Sequence, residues 1–144
     1  MGNYPRILSI TDEALRLRAK YAPWAVEDLE NIAKKEYGVV EVVKTFLARP
    51  SFTLLKGTDG IERRFIFYSA DSPAYLPLTL GHEIGHIACG HTRLSEHEYE
   101  TDLRRCEQEA DSFSAYLNGI SLPEYQKIQE HEAKSLFLGL AHRF

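Results

Sequence analysis

The segment 78–91, LTLGHEIGHIACGH, restricts the possible folds of this 144-residue chain more than any other stretch. It places three histidines and one glutamate among residues that carry no other charged side chain. Burying a carboxylate and imidazole rings without partners costs on the order of several kcal/mol. The compensating group therefore has to come from another element of the fold.

The segment is predicted to form a helix with two different faces. At about 100° per residue, His82 and His86 fall on one side, about 40° apart, with Glu83 beside them. Two imidazoles one turn apart can bind the same ion, and this is the form of the HExxH motif, a zinc-binding and general-base unit. The opposite side holds the residues predicted to be buried: Leu80, Ile84, Ile87 and His91.

A second helix, predicted over residues 102–118, offers a third ligand. The same arithmetic places Glu107 on the inward side of this helix and Glu109 on the outward side. The inward stripe is Leu103, Ala110, Ser114 and Leu117. A cation held by His82 and His86 would neutralise a buried Glu107.

Other residues on or near these two helices are alternative metal ligands or could form hydrogen bonds at the site. The alternatives to Glu107 as third ligand are Glu109 and two loop residues, Glu98 and Glu100. Asp111 shares the Glu107 side and can accept a hydrogen bond from the free ring nitrogen of a ligand histidine. His91 is predicted to be a structural hydrogen-bonding residue, because it lies on the apolar side. A hydrogen-bond donor to a tetrahedral oxyanion could come from His97, Tyr99 or Tyr116, and the spacing selects none of them.

The remaining sequence predicts a single α+β domain over residues 1–144. Residues 12–20 have helical spacing, and so does PWAVEDLENIAKKEYG until Gly38 ends it. Three β-branched and aromatic runs are predicted to be strands, at 39–46, 51–55 and 61–68. We expect a small, mostly antiparallel three-stranded sheet packed with about four to five helices.

Local signals predict how these elements are connected. Thr58-Asp59-Gly60 indicates a tight hairpin between the second and third strands. The stretch 92–101, TRLSEHEYET, is predicted to be a polar loop between the two site helices. Ser121 and Glu124 are typical of a capping box at the start of a last helix.

The stretches HEIGHIACGH and CEQEADSFSAYL together resemble the ImmA/IrrE family of metallopeptidases, within the gluzincins. The resemblance extends more weakly over most of residues 25–120. It implies a zincin-like fold with one zinc ion between the HExxH helix and the following helix. The implied zinc ligands are His82, His86 and Glu107, and the implied general base is Glu83. Members of the family act as bacterial or phage regulators, several by cutting a helix-turn-helix repressor encoded beside them.

The predicted function is therefore that of a zinc-dependent endopeptidase of regulatory type. It would cleave a specific partner, such as a helix-turn-helix repressor of a phage or mobile element. The alternative is a metal-stabilised, non-catalytic binding protein, an anti-repressor that acts by contact.

Composition and charge narrow the expected partners and compartment. The formal net charge of −4 gives no overall basic footprint, so direct nucleic acid binding is not expected. Two cysteines are too few for a disulfide-stapled secreted domain, and we expect neither a secretory signal nor a membrane span. A cytoplasmic protein is predicted.

Overall fold

The computed structural model describes residues 4–45, 51–58, 61–69 and 76–131, which form a mixed α+β fold, as the sequence predicts. These residues contain three strands, one 3-10 turn and six α-helices, more helices than expected. The elements are α1 (Tyr4–Tyr21), α2 (Val26–Tyr37), β1 (Val39–Thr45), β2 (Ser51–Thr58), β3 (Ile61–Ser69), α3 (Leu76–Ala88), the 3-10 turn (His91–Arg93), α4 (Glu96–Thr101), α5 (Leu103–Asn118) and α6 (described over 122–131).

The three strands form one sheet in the order β1-β3-β2. β2 and β3 pair antiparallel with Thr58 opposite Ile61, while residues 59–60, the predicted tight turn, lie outside the described residues. β1 pairs with β3 in parallel, so the expectation of a mostly antiparallel sheet is wrong for this pair. β-Branched residues predict a strand but not its partner, and β1 takes the edge of β3 that the β2–β3 pair leaves open.

Side-chain caps decide where two helices begin. Ser95 Oγ accepts a hydrogen bond from the backbone N–H of Glu98 at 3.1 Å and starts α4, so the stretch 92–101 is not only the polar loop that was predicted. The same motif operates at α6, where Ser121 Oγ accepts from the N–H of Glu124 at 3.2 Å. Among the described helices, none combines the length and apolar composition needed to cross a bilayer.

α3 is the central helix, in contact with α5, α2, β2 and β3. The prediction that one side of α3 is buried is confirmed, since its members are at most 7% exposed. Its three apolar members, Leu80, Ile84 and Ile87, pack in one cluster with residues of the other elements, among them Ala14, Leu17, Leu29, Ile32, Ile66, Phe113 and Leu117. Because α3 is enclosed by several elements, neighbouring side chains have to satisfy its polar groups in place of water.

Two glycines on α3 allow α5 to approach closely. A Cβ atom added at Gly85 would lie 3.0 Å from both Cα and the backbone oxygen of Ala110. A Cβ atom at Gly81, one turn earlier, would lie 2.5 Å from Oγ of Ser114. The missing side chains let the two backbones come near each other. The glycine spacing is visible in the sequence, but its use becomes clear only once α5 is in place.

We expect Gly85→Ala to destabilise the fold by about 1–3 kcal/mol, because the added methyl group overpacks against backbone atoms. The same displacement of α5 should weaken metal binding between the two helices. Chemical denaturation and a zinc titration measure the two effects. Thr79→Ala, a truncation on the same helix, is the control, and wild-type stability of Gly85→Ala would contradict the close-approach argument.

Ion pairs around Glu36 connect α1 to α2. Its carboxylate accepts hydrogen bonds from Arg16 at 2.9 Å and from Lys20 at 3.0 Å, and the Tyr21 hydroxyl also donates to it. The hydrogen bonds from Tyr21, Arg16 and Lys20 lower the pKa of Glu36 to about 2. The ionised carboxylate is therefore stabilised in the folded protein.

This lowered pKa predicts a loss of stability in acid. The contribution of Glu36 is complete above its ordinary pKa of 4.5 and is lost as the pH falls through about 2. We expect the difference in melting temperature between wild type and Glu36→Gln to shrink over that interval. Glu27→Gln, which removes an exposed carboxylate from the same helix, controls for net charge. A difference that stays constant down to pH 2 would exclude this linkage.

Candidate metal centre

Side chains of α3 and α5 converge where the two helices meet. Nε2 of His82 lies 3.0 Å from Nε2 of His86 and 2.9 Å from Oε2 of Glu107. Nε2 of His86 lies 3.4 Å from Oε1 of Glu107. The three ligand atoms lie within 4.8 Å of one another, so the group can hold a metal ion. Within the described part of the chain, it is the one such group of His, Cys, Asp or Glu side chains.

Asp111 holds the ring of His82 from the side away from Glu107. Its Oδ1 lies 2.8 Å from Nδ1 of His82, so the Nδ1–H donates to the carboxylate and Nε2 is left to face the group. The same carboxylate oxygen accepts from Gln129 of α6 at 3.5 Å. Burial and the nearby charge of Asp111 raise the pKa of Tyr125, also on α6. Sequence reasoning indicated a contact from Asp111 to a ligand histidine but not the contribution of α6.

A second pair of side chains lies behind His86. Nδ1 of His91 is 2.9 Å from Nδ1 of His86, and Nε2 of His91 is 2.8 Å from Oε1 of Glu109. His91 is 2% exposed and Glu109 is 5% exposed. His91 therefore takes a hydrogen-bonding position outside the group of three, as predicted. Sequence reasoning missed Glu109 as its partner.

The prediction from helical periodicity that Glu107 of α5 faces inward and Glu109 outward is wrong. The side chain of Glu109 is 4% exposed, whereas that of Glu107 is 41% exposed, at the rim of the α3–α5 interface. Leu103, a predicted member of the inward stripe, is 46% exposed. α5 contacts α1 as well as α3, so its buried face is broader than one stripe. That face consists of Cys106, Glu109, Ala110, Phe113, Ser114, Ala115 and Leu117.

α4 contacts Glu107 through a tyrosine and not through an acidic residue. The hydroxyl of Tyr99 donates to Oε1 of Glu107 at 2.8 Å. The acidic alternatives lie elsewhere, since Glu98 accepts from the N–H of Ser95 and Glu100 is exposed. Tyr99 thus positions one carboxylate oxygen of Glu107, a role that no signal in the sequence singled out.

The electrostatics of the group favour a positive charge near His82. Burial lowers the pKa of His82, but hydrogen bonds to Asp111 and Glu107 and the charge of Glu83 raise it more, to about 10. Burial raises the pKa of Glu107, yet its contacts with the imidazoles of His82 and His86 bring that pKa well below its usual range. The side chains around this point therefore stabilise a positive charge there.

Glu83 lies beside this group on α3. It directly follows His82 in the chain and is 4% exposed, and its charge acts on the His82 ring. The structure thus places a buried carboxylate next to His82 in the chain and outside the group of three.

The donor set fits a zinc ion. Bonds of 2.0–2.1 Å at tetrahedral angles put ligand atoms about 3.3 Å apart, near the 2.9–3.4 Å distances within the group. Two imidazoles and one carboxylate are a ligand set of catalytic zinc, which leaves a fourth position open. No family model, curated protein or solved structure matches this chain.

Proposed function

We propose that this protein is a zinc-dependent endopeptidase of regulatory type, similar to the ImmA/IrrE metallopeptidases in the zincin-like class. The supporting observation is the convergence of His82, His86 and Glu107 at distances of 2.9–3.4 Å, on two helices that pack closely. One carboxylate and two imidazole nitrogens this close together favour a cation between them.

Side chains of both α3 and α5 have roles in such a site. When bound, zinc supplies a Lewis acid that polarises a peptide carbonyl and makes water acidic near pH 7. Glu83 takes a proton from the attacking water and delivers it to the leaving amine. Asp111 keeps the His82 ring in the orientation that points Nε2 into the group.

Exposure of the group is uneven, which supports access by a substrate from one side. The side chain of His86 is 8% exposed and that of His82 is 14% exposed, whereas Glu107 at 41% lies at the rim. An extended peptide can therefore approach along the Glu107 side while the histidines stay covered. Tyr99, on the same side, limits the movement of Glu107 by its hydrogen bond.

The proposed substrate is a specific protein rather than peptides in general. The resemblance of HEIGHIACGH and CEQEADSFSAYL to the ImmA/IrrE pattern supports a helix-turn-helix repressor of a phage or mobile element. The net charge of −4 favours action on the repressor protein over direct binding to DNA. The proposed compartment is the cytoplasm, where such repressors act.

The test is cleavage of a repressor encoded next to the gene for this protein. Purified protein loaded with one equivalent of zinc should convert that repressor into discrete fragments. A zinc chelator should stop the reaction, and added zinc should restore it. A repressor that stays intact in the presence of the zinc-loaded protein, although repression in cells is relieved, would instead indicate an anti-repressor that acts by contact.

A further inference from the structure

Glu109 and His91 form a buried pair that ends at a residue of the candidate metal centre. Oε1 of Glu109 is 2.8 Å from Nε2 of His91, and Nδ1 of His91 is 2.9 Å from Nδ1 of His86. The side chains of His91 and Glu109 are 0% and 4% exposed, so water does not compete for these contacts from outside. The three side chains thus make a continuous chain of hydrogen bonds from the interior to the site.

The direction of these hydrogen bonds decides which ring nitrogen of His86 carries a proton. A carboxylate oxygen only accepts, so Nε2 of His91 has to carry a proton and donate it to Glu109. In a neutral His91 the other ring nitrogen, Nδ1, then has a lone pair and accepts from His86. His86 donates through Nδ1–H, and its Nε2 is left with a lone pair that faces His82 and Glu107.

If the hydrogen bond between His91 and His86 ran in the opposite direction, His86 could not bind a cation through Nε2. A doubly protonated His91 would donate to both neighbours, and Nδ1 of His86 would then be an acceptor. The proton of a neutral His86 would lie on Nε2, between the other two members of the group. Only the first arrangement makes His86 a ligand.

We propose that Glu109, acting through His91, is a positioning residue that fixes the tautomer and ring orientation of His86 and thereby sets the metal affinity of the site. The inference rests on the metal site of the proposed function and not on peptide cleavage. His82 and His86 are then oriented by separate carboxylates, Asp111 and Glu109, both on α5. Partners of this kind typically change metal affinity by about 10–100-fold when they are removed.

The first measurement needs no variant. The ¹⁵N chemical shifts of the imidazole rings, recorded for the zinc-loaded wild-type protein, report which nitrogen of each ring carries a proton. We expect the proton of His91 on Nε2 and that of His86 on Nδ1. A proton on Nδ1 of His91 would overturn the proposal directly.

The second measurement is zinc affinity by competition with a chromophoric chelator, together with the visible spectrum of the cobalt-substituted protein. Glu109→Gln keeps the size of the side chain but removes its charge, and we expect zinc affinity to fall by about 10–100-fold. His91→Phe, which removes the acceptor for His86, should have at least as large an effect. Glu109→Gln should add little to the loss of zinc affinity in the His91→Phe background, since the proposed effect of Glu109 on His86 is transmitted by His91.

Glu27→Gln, an exposed site on α2, is the control and should bind zinc as the wild type does. A lower melting temperature of Glu109→Gln with unchanged zinc affinity, cobalt spectrum and His86 shifts would reduce the pair to a structural role and overturn the proposal. A wild-type protein that binds no zinc would also overturn it. If zinc binding and the variants behave as expected but no repressor is cut, only the proposed peptidase function fails.

Discussion

Replacing Glu83 with Gln is expected to slow peptide cleavage by about 10²–10⁴-fold, while zinc affinity stays close to that of the wild type. The side chain is 4% exposed and lies beside His82, so the amide fills the same space without the ability to accept a proton from water. Cleavage rates at saturating substrate, with zinc content measured on the same preparation, separate the loss of a base from the loss of the metal. Circular dichroism checks that the fold is retained.

Glu100→Gln is the matched control for this experiment, because Glu100 is exposed on α4 and lies outside the group that can hold a metal. It should cleave at the wild-type rate. Normal cleavage by Glu83→Gln would show that another group acts as the base. If Glu83→Gln relieves repression in cells as well as the wild type does, with the partner uncut, the protein acts by binding instead.

Zinc is expected to raise the melting temperature of the wild-type protein by roughly 12 °C when its free concentration is about 1,000 times the dissociation constant. A ligand that binds only the folded state adds about 4 kcal/mol under that condition. In Glu107→Gln the charged ligand is lost, and an affinity about 100-fold lower would leave about 1.4 kcal/mol at the same zinc concentration. The zinc-dependent shift should then be roughly 4 °C.

Differential scanning calorimetry with and without zinc measures these shifts. Glu98→Gln and Glu100→Gln remove the acidic residues of α4 that compete with Glu107 in the sequence interpretation, and both should keep the full wild-type shift. An equal shift in Glu107→Gln and the wild type would exclude Glu107 as a ligand. The loss of the shift in Glu100→Gln would instead move the third ligand to α4.

In the sheet, sequence patterns predict the positions of the strands but not all of their pairing. Each strand run was located correctly, because β-branched and aromatic residues have a local preference for extended backbone. The parallel pairing of β1 with β3 was not predicted, because it joins segments about 25 residues apart. Which edge a strand joins depends on packing that no local pattern contains.

α5 shows the same limit at the candidate site. Helical periodicity predicts a single apolar stripe that begins at Leu103, although Leu103 is 46% exposed. The helix contacts α1 and α3 together, which turns its buried face toward Glu109 and leaves Glu107 at the rim. Glu107 still reaches His82 and His86, since Gly81 and Gly85 allow the close contact of the helices.

The sequence by itself determined that His82 and His86 share one side of a helix, because an α-helix repeats every 3.6 residues whatever surrounds it. It likewise determined that Leu80, Ile84 and Ile87 are buried on the other side. Only the tertiary structure decided that Glu109 lies buried against His91 and that Tyr99 contacts Glu107. These contacts depend on the distance and rotation between helices, which are set by packing over the whole domain.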